Sequence, residues 1–401
     1  MTVFGYNCGV IGKIAIITER LDPSLGGAER SVGELAEAVS KLGPEVHILA
    51  AKGTATGPNV HILCRDTPGK RTSLSRLQRA ARRHLQDNHY DVIHSVLPLD
   101  FADVYQPRGG AYPEAMQRNA ASYHGNFLRC WKRWTAFANC RRTVLWCREK
   151  KLCRNRHGPV VAALSGYVAE QFKRHYGLDD SRVVVVPNGV KVRGKPDETA
   201  AGALRREITG RLGTAEPGRT VLMLFVANNF RLKGLRPLLM AIKAAGESVE
   251  RQVSLIVVGS DNSAPYRRLA ERLNIMKNVL FPGAMDDIGT VLGACDVAVL
   301  PSFYDPCSRF TLEALAANKP VITTRHNGAT DLFKDGRHGR VIGSADDVSA
   351  LAEAIAYFSN AANVKKAADA IAADNLREEI SIDRHATRLL ELYRELKGKR
   401  R

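Results

Sequence analysis

The chain has 401 residues, of which 45% are hydrophobic, and its 59 Lys and Arg against 41 Asp and Glu give a formal net charge of +18 at pH 7. This length is sufficient for two domains, the composition is that of a globular protein, and no apolar run approaches the roughly 18–20 residues that a membrane-spanning helix needs. The positive charge favours anionic partners: nucleic acid, an anionic membrane surface or a phosphorylated substrate.

Residues 1–13 lack a basic start followed by a long apolar stretch, so we expect no signal peptide. The eight cysteines form no CxxC pair, and the spacings of the densest group fit no common zinc pattern. That group consists of Cys130, Cys140, Cys147 and Cys153. We therefore expect free thiols in a reducing cytoplasm, with a structural metal as a minor alternative.

Strands alternate with helices along the first half of the chain, which predicts a mostly parallel sheet. Apolar runs predict strands over residues 13–18, 45–50, 91–96, 160–164 and 182–187. Apolar residues at helical spacing predict helices over residues 29–42, 73–86 and 167–176. A Pro-Asn-Gly turn at residues 187–189 and the polar segment 191–200 then indicate a linker to a second domain.

The second half repeats this pattern. Strands are predicted over residues 221–227, 253–259, 279–281, 296–300, 321–324 and 340–342, and the charged stretch 374–399 is predicted to be helical. The sequence therefore predicts an α/β fold with two Rossmann-like, doubly wound parallel-sheet domains. We place them at residues 1–188 and 189–378, followed by a C-terminal helix over residues 379–401.

Two carboxylates, Asp305 and Glu313, stand on either side of a predicted helix start. Asp305 follows the strand predicted over residues 296–300, and Ser308 is a suitable N-cap for the helix that carries Glu313. Ligands of open α/β sheets bind at the carboxyl ends of the strands, and the first amides of a helix suit a phosphate. Those amides belong to Arg309, Phe310 and Thr311.

Asp305 could accept hydrogen bonds from sugar hydroxyls, and Glu313 from a ribose. The pattern therefore predicts a nucleotide-sugar site. The alternative is an ordinary β-α-β unit with two solvated acids.

The same segment resembles the acidic-pair motif of the retaining glycosyltransferases of glycosyltransferase family 4, which have the GT-B fold. It departs from that motif at three positions: the first acid is Asp305 instead of glutamate, Ser308 stands where glycine is usual, and Arg309 stands at a usually apolar position. The resemblance implies two domains facing a cleft, with the C-terminal helix crossing back to the first domain. It also implies Asp305 on the donor sugar and Glu313 on the ribose.

Two other segments carry the same resemblance. Asn228–Gly234, read as NNFRLKG, is similar to the family's donor-phosphate motif, which implies that Arg231 and Lys233 neutralise the leaving diphosphate. No DxD motif is present, so we expect no divalent metal cofactor. Residues 26–30, GGAER, resemble the glycine-rich loop of lipopolysaccharide core glucosyltransferases, which implies that Gly26 and Gly27 bind the donor. The alternative interpretation of residues 228–234 is a basic surface loop, and that of residues 26–30 is a flexible loop.

Basic residues cluster in two further places. Between residues 117 and 157, Lys and Arg alternate with Trp131, Trp134, Phe137 and Trp146, and the only acid is Glu149. A second basic cluster covers residues 65–83. Basic and aromatic residues together suit the headgroup layer of an anionic membrane, and a solvated helix with inward aromatics is the equal alternative.

Residues 109–112, GGAY, fall in a region that lies near the acceptor in the related glucosyltransferases. The nearby His124 could contact the donor sugar, although a lone histidine is more often structural.

The resemblance as a whole implies a cytoplasmic, peripherally membrane-bound hexosyltransferase. It would use a nucleoside-diphosphate sugar, with UDP-glucose favoured, and a lipopolysaccharide core or other cell-envelope glycan or glycolipid acceptor. GDP-mannose or an ADP-heptose is the alternative donor. Two rivals of other classes are a non-catalytic GT-B binding protein and a basic nucleic-acid-binding protein. We expect no nucleic-acid partner, because no recognition motif is found.

Overall fold

The computed structural model describes residues 11–22, 27–65, 72–192, 197–213, 220–246 and 248–399, with no account of the side chains of residues 27–29 and 137. The chain divides into two compact units. The first unit comprises Met1–Glu114, Thr135–Lys191 and Ser381–Arg401, and the second comprises Ala115–Trp134 and Val192–Ile380. The chain therefore leaves and re-enters the first unit twice.

The first unit is built on a seven-stranded parallel sheet. Its strands are β1 (Lys13–Leu21), β2 (Glu45–Gly53), β3 (Val60–Ile62), β4 (Val92–Ser95), β5 (Val104–Tyr105), β6 (Val160–Ala163) and β7 (Val183–Val185). The strand order is β3-β2-β1-β4-β5-β6-β7, so the direction of winding reverses between β1 and β4. Its helices are α1 (Gly27–Ser40), α2 (Leu74–Asp87), the start of α3 (Tyr112–Ala121), α5 (Cys140–Arg154), α6 (Gly166–Tyr176) and α15 (Ile382–Gly398).

The second unit is built on a six-stranded parallel sheet. Its strands are β8 (Thr220–Val226), β9 (Gln252–Val258), β10 (Val279–Gly283), β11 (Val297–Leu300), β12 (Val321–Thr324) and β13 (Gly339–Ile342), in the order β10-β9-β8-β11-β12-β13. The helices wholly in its chain ranges are α4 (Asn126–Trp134), α7 (Glu198–Arg211), α8 (Leu235–Ala245), α9 (Ala264–Arg272), α10 (Ile288–Ala294), α11 (Arg309–Ala316), α12 (Val348–Ser359), α13 (Ala361–Ala373) and α14 (Leu376–Glu379). The predicted pair of doubly wound parallel-sheet domains is confirmed.

The strands read as continuous apolar runs because both faces of each sheet are covered. In β8, the sequence TVLMLFV is buried from Thr220 to Phe225, as expected for a central parallel strand. In the first unit, the C-terminal helix α15 packs against the core of β1, β2 and α1 through Leu389, Leu390 and Tyr393. The last segment of the chain thus completes a core that the first segments begin.

The helix predicted after Ser308 is confirmed, and so is its end at Asn318, whose backbone is left-handed with φ of 55°. Two other predictions were incomplete. The polar stretch predicted as a linker over residues 191–200 contains the start of α7, because Asp197 caps the amides of Thr199 and Ala200. The single helical stretch predicted over residues 374–399 is broken, since Ser381 caps a new helix.

The described chain has no helix that combines the length and apolar character needed to cross a membrane. Its seven described cysteines are all free thiols.

Candidate active site at the strand switch of the second unit

The site lies where the winding of the second sheet reverses. Strands β8 and β11 are neighbours there although 70 residues separate them, with Val297 paired to Met223 and Ala298 to Leu224. Such a switch point leaves a crevice at the carboxyl ends of the two strands, and ligands of open α/β sheets bind in it. The loop after β8 carries Lys233, and the loop after β11 carries Asp305. Topology therefore brings together two residues that the sequence indicated separately.

Lys233 and Asp305 form an ion pair. The Lys233 Nζ lies 2.6 Å from Asp305 Oδ2 and also donates a hydrogen bond to the carbonyl oxygen of Tyr304 at 3.1 Å. The side chains are 21% and 13% exposed, so the pair is open to a ligand but shielded from bulk water. A charge pair in this setting interacts more strongly than one on the surface.

Gly234 explains why the Lys233 loop lies so close to β11. Its backbone is left-handed, with φ of 80°, and a Cβ atom at this position would lie 2.0 Å from the carbonyl oxygen of Pro301. Only glycine fits such a close approach. A backbone hydrogen bond also joins the two loops, from the amide of Phe303 to the carbonyl oxygen of Leu232 at 2.9 Å. The two loops are therefore joined by main-chain contacts on either side of the ion pair.

The start of α11 is organised by a residue that the sequence analysis missed. Asn327 is fully buried, and its Oδ1 accepts hydrogen bonds from the amides of Ser308 and Ala329, both at 3.1 Å. Its Nδ2 donates to the hydroxyls of Thr311 and Thr323 at 3.1 and 3.0 Å. The Asn-Gly pair after β12 was the available signal, because this dipeptide marks a turn at the end of a strand.

Asp305 is held by main-chain contacts to the same turn. Its amide donates to the carbonyl of His326, and its carbonyl accepts from Gly328, both at 2.9 Å. These bonds form an isolated parallel bridge between Asp305 and Asn327. The turn around Asn327 therefore holds two parts of the site. Its main chain holds the loop that carries Asp305, and the Asn327 side chain holds the N-terminus of α11.

The helix start offers fewer amides than predicted. Ser308 caps α11 by accepting a hydrogen bond from Thr311 N at 3.2 Å, so that amide is occupied. Phe310 is buried, which anchors the first turn. Arg309 and Glu313 lie one turn apart on this helix, with 3.6 Å between Arg309 Nη2 and Glu313 Oε1. Glu313 is about one-third exposed and is thus accessible to a ligand.

Arg231 contacts a different group of residues from those around Lys233. Its guanidinium donates to the main-chain oxygen and Oδ1 of Asn119, at 3.1 and 3.0 Å, and to the hydroxyl of Ser122. It also stacks on the ring of Tyr123, 3.8 Å from the ring centroid. These partners belong to Ala115–Trp134, a segment of the second unit that no pattern in the sequence associated with Arg231.

The glycine-rich loop is only partly described. Gly26 lies outside the described residues, and Gly27 begins α1. Of the predicted site residues, the structure brings Lys233, Asp305 and Ser308 to the β8–β11 switch, and Arg309, Phe310 and Glu313 to the helix that follows.

In the first unit, the Gly109–Tyr112 segment is tied to a buried acid. Glu149 accepts hydrogen bonds from the hydroxyls of Tyr105 and Tyr176, at 2.8 and 2.5 Å, and from the amide of Tyr112 at 2.9 Å. Burial raises the pKa of Glu149 to about 7, against the lowering effect of these three hydrogen bonds. This carboxyl positions the first turn of α3.

Helix α4 in the second unit exposes a set of large apolar side chains. Phe127, Trp131 and Trp134 are all exposed, and none of the nine residues of the helix is buried. Arg129, Lys132 and Arg133 interleave with them. The alternative of inward-packed aromatics is therefore wrong for Trp131 and Trp134. The helix has the composition of a segment that lies at a membrane interface.

Comparison with known proteins assigns the class. The model described as "Glycosyltransferase Family 4" matches residues 25–193, and the model described as "Glycosyl transferases group 1" matches residues 211–374. Together, the two family models match most of the chain. The chain belongs to glycosyltransferase family 4 and is a GT-B glycosyltransferase.

Individual relatives are distant. The lipopolysaccharide glucosyltransferase WaaG of Escherichia coli is 24% identical over 320 residues, which cover 79% of this chain and 82% of WaaG. The D-inositol 3-phosphate glycosyltransferase 2 of Catenulispora acidiphila is 31% identical over 193 residues, 44% of this chain and 43% of that protein.

Solved structures show the same fold. A WaaG crystal structure has a TM-score of 0.64 and 21% identity, with 96% of this chain and 98% of that chain covered. The Anabaena protein HepE, solved in complex with UDP-glucose, has a TM-score of 0.67 and 18% identity, with 95% and 98% covered.

Proposed function

We propose that this glycosyltransferase moves a hexose from a nucleoside-diphosphate sugar, with UDP-glucose favoured, to a hydroxyl of a lipopolysaccharide core or other cell-envelope glycan. The observation that carries the proposal is the Lys233–Asp305 pair at the β8–β11 switch, beside the capped start of α11. A relative named as a lipopolysaccharide glucosyltransferase and a structural neighbour solved with UDP-glucose support the choice of donor and acceptor.

The reaction we propose retains the configuration of the sugar. The bond from the anomeric carbon to the leaving phosphate oxygen breaks, and the acceptor oxygen bonds to that carbon on the same face. The departing diphosphate takes the acceptor's proton. The protein's contribution is electrostatic, since cations placed where negative charge develops lower the barrier without reorganising.

Each site residue has one role in this scheme. Asp305 orients the sugar, Glu313 binds the ribose, and Lys233 stabilises the leaving diphosphate. Arg231 joins Lys233 by exchanging its contacts with Asn119 and Ser122 for phosphate oxygens. The glycine-rich loop with Gly26 and Gly27, the Ser308-capped helix start and the Arg309 and Phe310 amides complete the donor site. Because Asp305 is one methylene shorter than glutamate, GDP-mannose or an ADP-heptose stays the alternative donor.

We also propose that no divalent metal takes part, because the chain supplies its own cations at the leaving group. Turnover with the identified donor should be the same in EDTA as in Mg²⁺. Loss of turnover in EDTA that Mg²⁺ or Mn²⁺ restores would contradict this part of the proposal.

The first experiment is thermal unfolding of the protein with UDP-, GDP- and ADP-sugars. A ligand at 100 times its Kd stabilises a protein by about 2.7 kcal/mol, which shifts melting measurably. We expect one donor class to stabilise the wild type and to lose its effect in Lys233→Met and Glu313→Gln. Lys243→Met, which changes an exposed lysine of α8, should keep the response. No response to any nucleotide or nucleotide sugar would favour a non-catalytic binding protein.

Membrane contact is a separate part of the proposal, and it rests on α4. We propose that Phe127, Trp131 and Trp134 enter the headgroup layer of an anionic membrane while the neighbouring cations bind its phosphates. Sedimentation with vesicles containing phosphatidylglycerol should therefore fall sharply in Phe127→Ser/Trp131→Ser. The control Val144→Ser removes an exposed apolar side chain of α5 and should leave sedimentation unchanged. Equal sedimentation of both variants would exclude α4 as the contact.

A further inference from the structure

A cavity of about 540 Å³ lies within the second unit, next to the loops that carry Lys233 and Asp305. Its walls come from the start of α8, the starts of α9 and α12, and residues 122–129. Lys233, Asp305, Ser308 and Glu313 are not among its described lining residues, whereas Arg231 is. The size of the cavity suits a small metabolite.

The charge of the lining is positive. Three guanidinium groups, those of Arg129, Arg231 and Arg236, face a single carboxylate, that of Asp346. Arg129 Nη2 is paired to Asp346 Oδ2 at 2.7 Å, which leaves the charges of two arginines without a carboxylate in the described lining. A phosphate monoester carries about −1.5 to −2 at pH 7, so it matches this excess better than a single carboxylate does.

Arg236 is the arginine of the lining that is best placed for an anion in the cavity. Its Nε–H is shielded from solvent and has no hydrogen-bond acceptor among the described residues, so a ligand meets the Nη atoms of this guanidinium. An anion at those atoms offsets charge that the described lining leaves without a carboxylate. Arg–phosphate contacts are among the strong, directional hydrogen bonds of proteins.

Tyr266 and an apolar wall supply the remaining recognition surface. Tyr266 packs edge-on against Phe230, with 5.7 Å between the ring centroids, and burial with the Asp261 charge raises its pKa to about 12. Its hydroxyl therefore stays protonated and can donate to a phosphate. Pro237 and Met240 form the apolar wall. A polar group beside an apolar wall suits a sugar, which has both hydroxyl groups and apolar faces.

We infer that this cavity is a second ligand site, which binds a phosphorylated hexose with its phosphate on Arg236 and the Tyr266 hydroxyl. The hexose ring lies against the apolar wall of Pro237 and Met240. This inference does not depend on the donor, the acceptor or the reaction proposed above.

Calorimetric titration of glucose 6-phosphate into the protein tests the inference. Saturating UDP is present throughout, so that the proposed donor site is occupied. We expect glucose 6-phosphate to bind, and glucose and inorganic phosphate to bind at least about tenfold more weakly, because each lacks one half of the recognised group. Equal binding of glucose would overturn the role of the phosphate. Equal binding of inorganic phosphate would overturn the role of the sugar.

Variants place the binding in the cavity. Arg236→Met should weaken the affinity for glucose 6-phosphate by about ten- to a hundredfold, the usual range for a hydrogen bond to a charged group. Tyr266→Phe, which removes only a hydroxyl, should weaken it by about tenfold and serves if Arg236→Met does not fold. Arg272→Met, which changes an exposed arginine of α9, should bind as the wild type does. Wild-type affinity in both cavity variants, or an equal loss of affinity in Arg272→Met, would overturn the assignment.

Discussion

Asn327 shows how much of a site can rest on a residue that need not touch the substrate. Its amide satisfies four groups at once: the amides of Ser308 and Ala329 and the hydroxyls of Thr311 and Thr323. Replacing it would leave several buried groups without partners, which is costly in a dry interior. The position of the α11 start depends on this one side chain, and the turn that it stabilises holds Asp305 through main-chain hydrogen bonds.

Lys233 gives the most direct prediction for catalysis. Lys233→Met removes the charge that the proposed mechanism places on the leaving diphosphate while it keeps the length of the side chain. We expect turnover to fall by about 10²–10³, as for the loss of a single electrostatic donor in other enzymes. Steady-state kinetics with the identified donor measure this. Lys243→Met is the matched control, and unchanged turnover in Lys233→Met would refute the role of Lys233.

Glu149 makes stability depend on pH. Its pKa is raised from 4.5 in the unfolded chain to about 7 in the folded protein, so between these values the unfolded chain gives up a proton that the folded protein keeps. This group therefore contributes a loss of stability as pH rises through that window, on the order of 3 kcal/mol in total. Chemical denaturation at pH 4.5, 6 and 7.5 should show this decline in the wild type relative to Glu149→Gln.

The control for the Glu149 comparison is Glu391→Gln, which changes an exposed glutamate of α15 in the same unit. It should follow the pH dependence of the wild type. A Glu149→Gln variant with the same pH dependence as the wild type would show that this carboxyl ionises in the folded protein as it does in the unfolded chain.

At the scale of elements, the sequence predicted best where a pattern is local. The strand predicted over residues 221–227 and the Ser308 cap are set by neighbours along the chain, and the structure has both within one residue of the prediction. The strand predicted over residues 13–18 begins as predicted and ends three residues later, at Leu21. Strands β3 and β5, of three and two residues, were missed because so short a run has no readable period.

The contacts of the site were predictable only in part. That Lys233 and Asp305 follow neighbouring strands could be expected from alternating strands and helices, but the ion pair itself depends on the close approach at Gly234. The partners of Arg231 come from residues more than a hundred positions away. No local pattern indicates such a contact, because it is decided by how distant segments pack.

Helix α15 belongs to the core of the first unit, and one substitution tests its weight. Leu389 is fully buried against that core, so Leu389→Ala should lower the free energy of unfolding by about 2–5 kcal/mol. Glu391→Ala, on the exposed side of the same helix, should change it by no more than about 0.5 kcal/mol. Denaturant unfolding measures both. If the two variants were equally stable, α15 would be an appendage and not a part of the core.

At the scale of the whole molecule, the net charge of +18 should make association with anionic membranes depend on salt. The Debye length falls from about 10 Å at 0.1 M salt to about 3 Å at 1 M, which screens exposed charges. Sedimentation with phosphatidylglycerol vesicles should therefore decrease from 0.1 to 0.5 M NaCl but keep a residual part that the aromatic residues of α4 provide. Vesicles of phosphatidylcholine alone are the control.

The net charge of +18 also raises the alternative interpretation of a nucleic-acid-binding protein, which can be tested. A nucleic-acid-binding protein would bind single- or double-stranded DNA or RNA with a steep salt dependence. Vesicle binding that does not respond to salt, together with tight and salt-sensitive binding to nucleic acid, would reverse our assignment of the partner.

Gly234 has a consequence for anyone who wishes to change the donor of this enzyme. A side chain at position 234 would collide with the backbone of Pro301. Only glycine therefore lets the loop with Lys233 and the loop with Asp305 approach each other this closely. A combinatorial library around Asp305 must keep glycine at position 234, and every change of Asp305 itself also removes the ion-pair partner of Lys233. The proposed sugar contact and the proposed leaving-group contact therefore have to be engineered together.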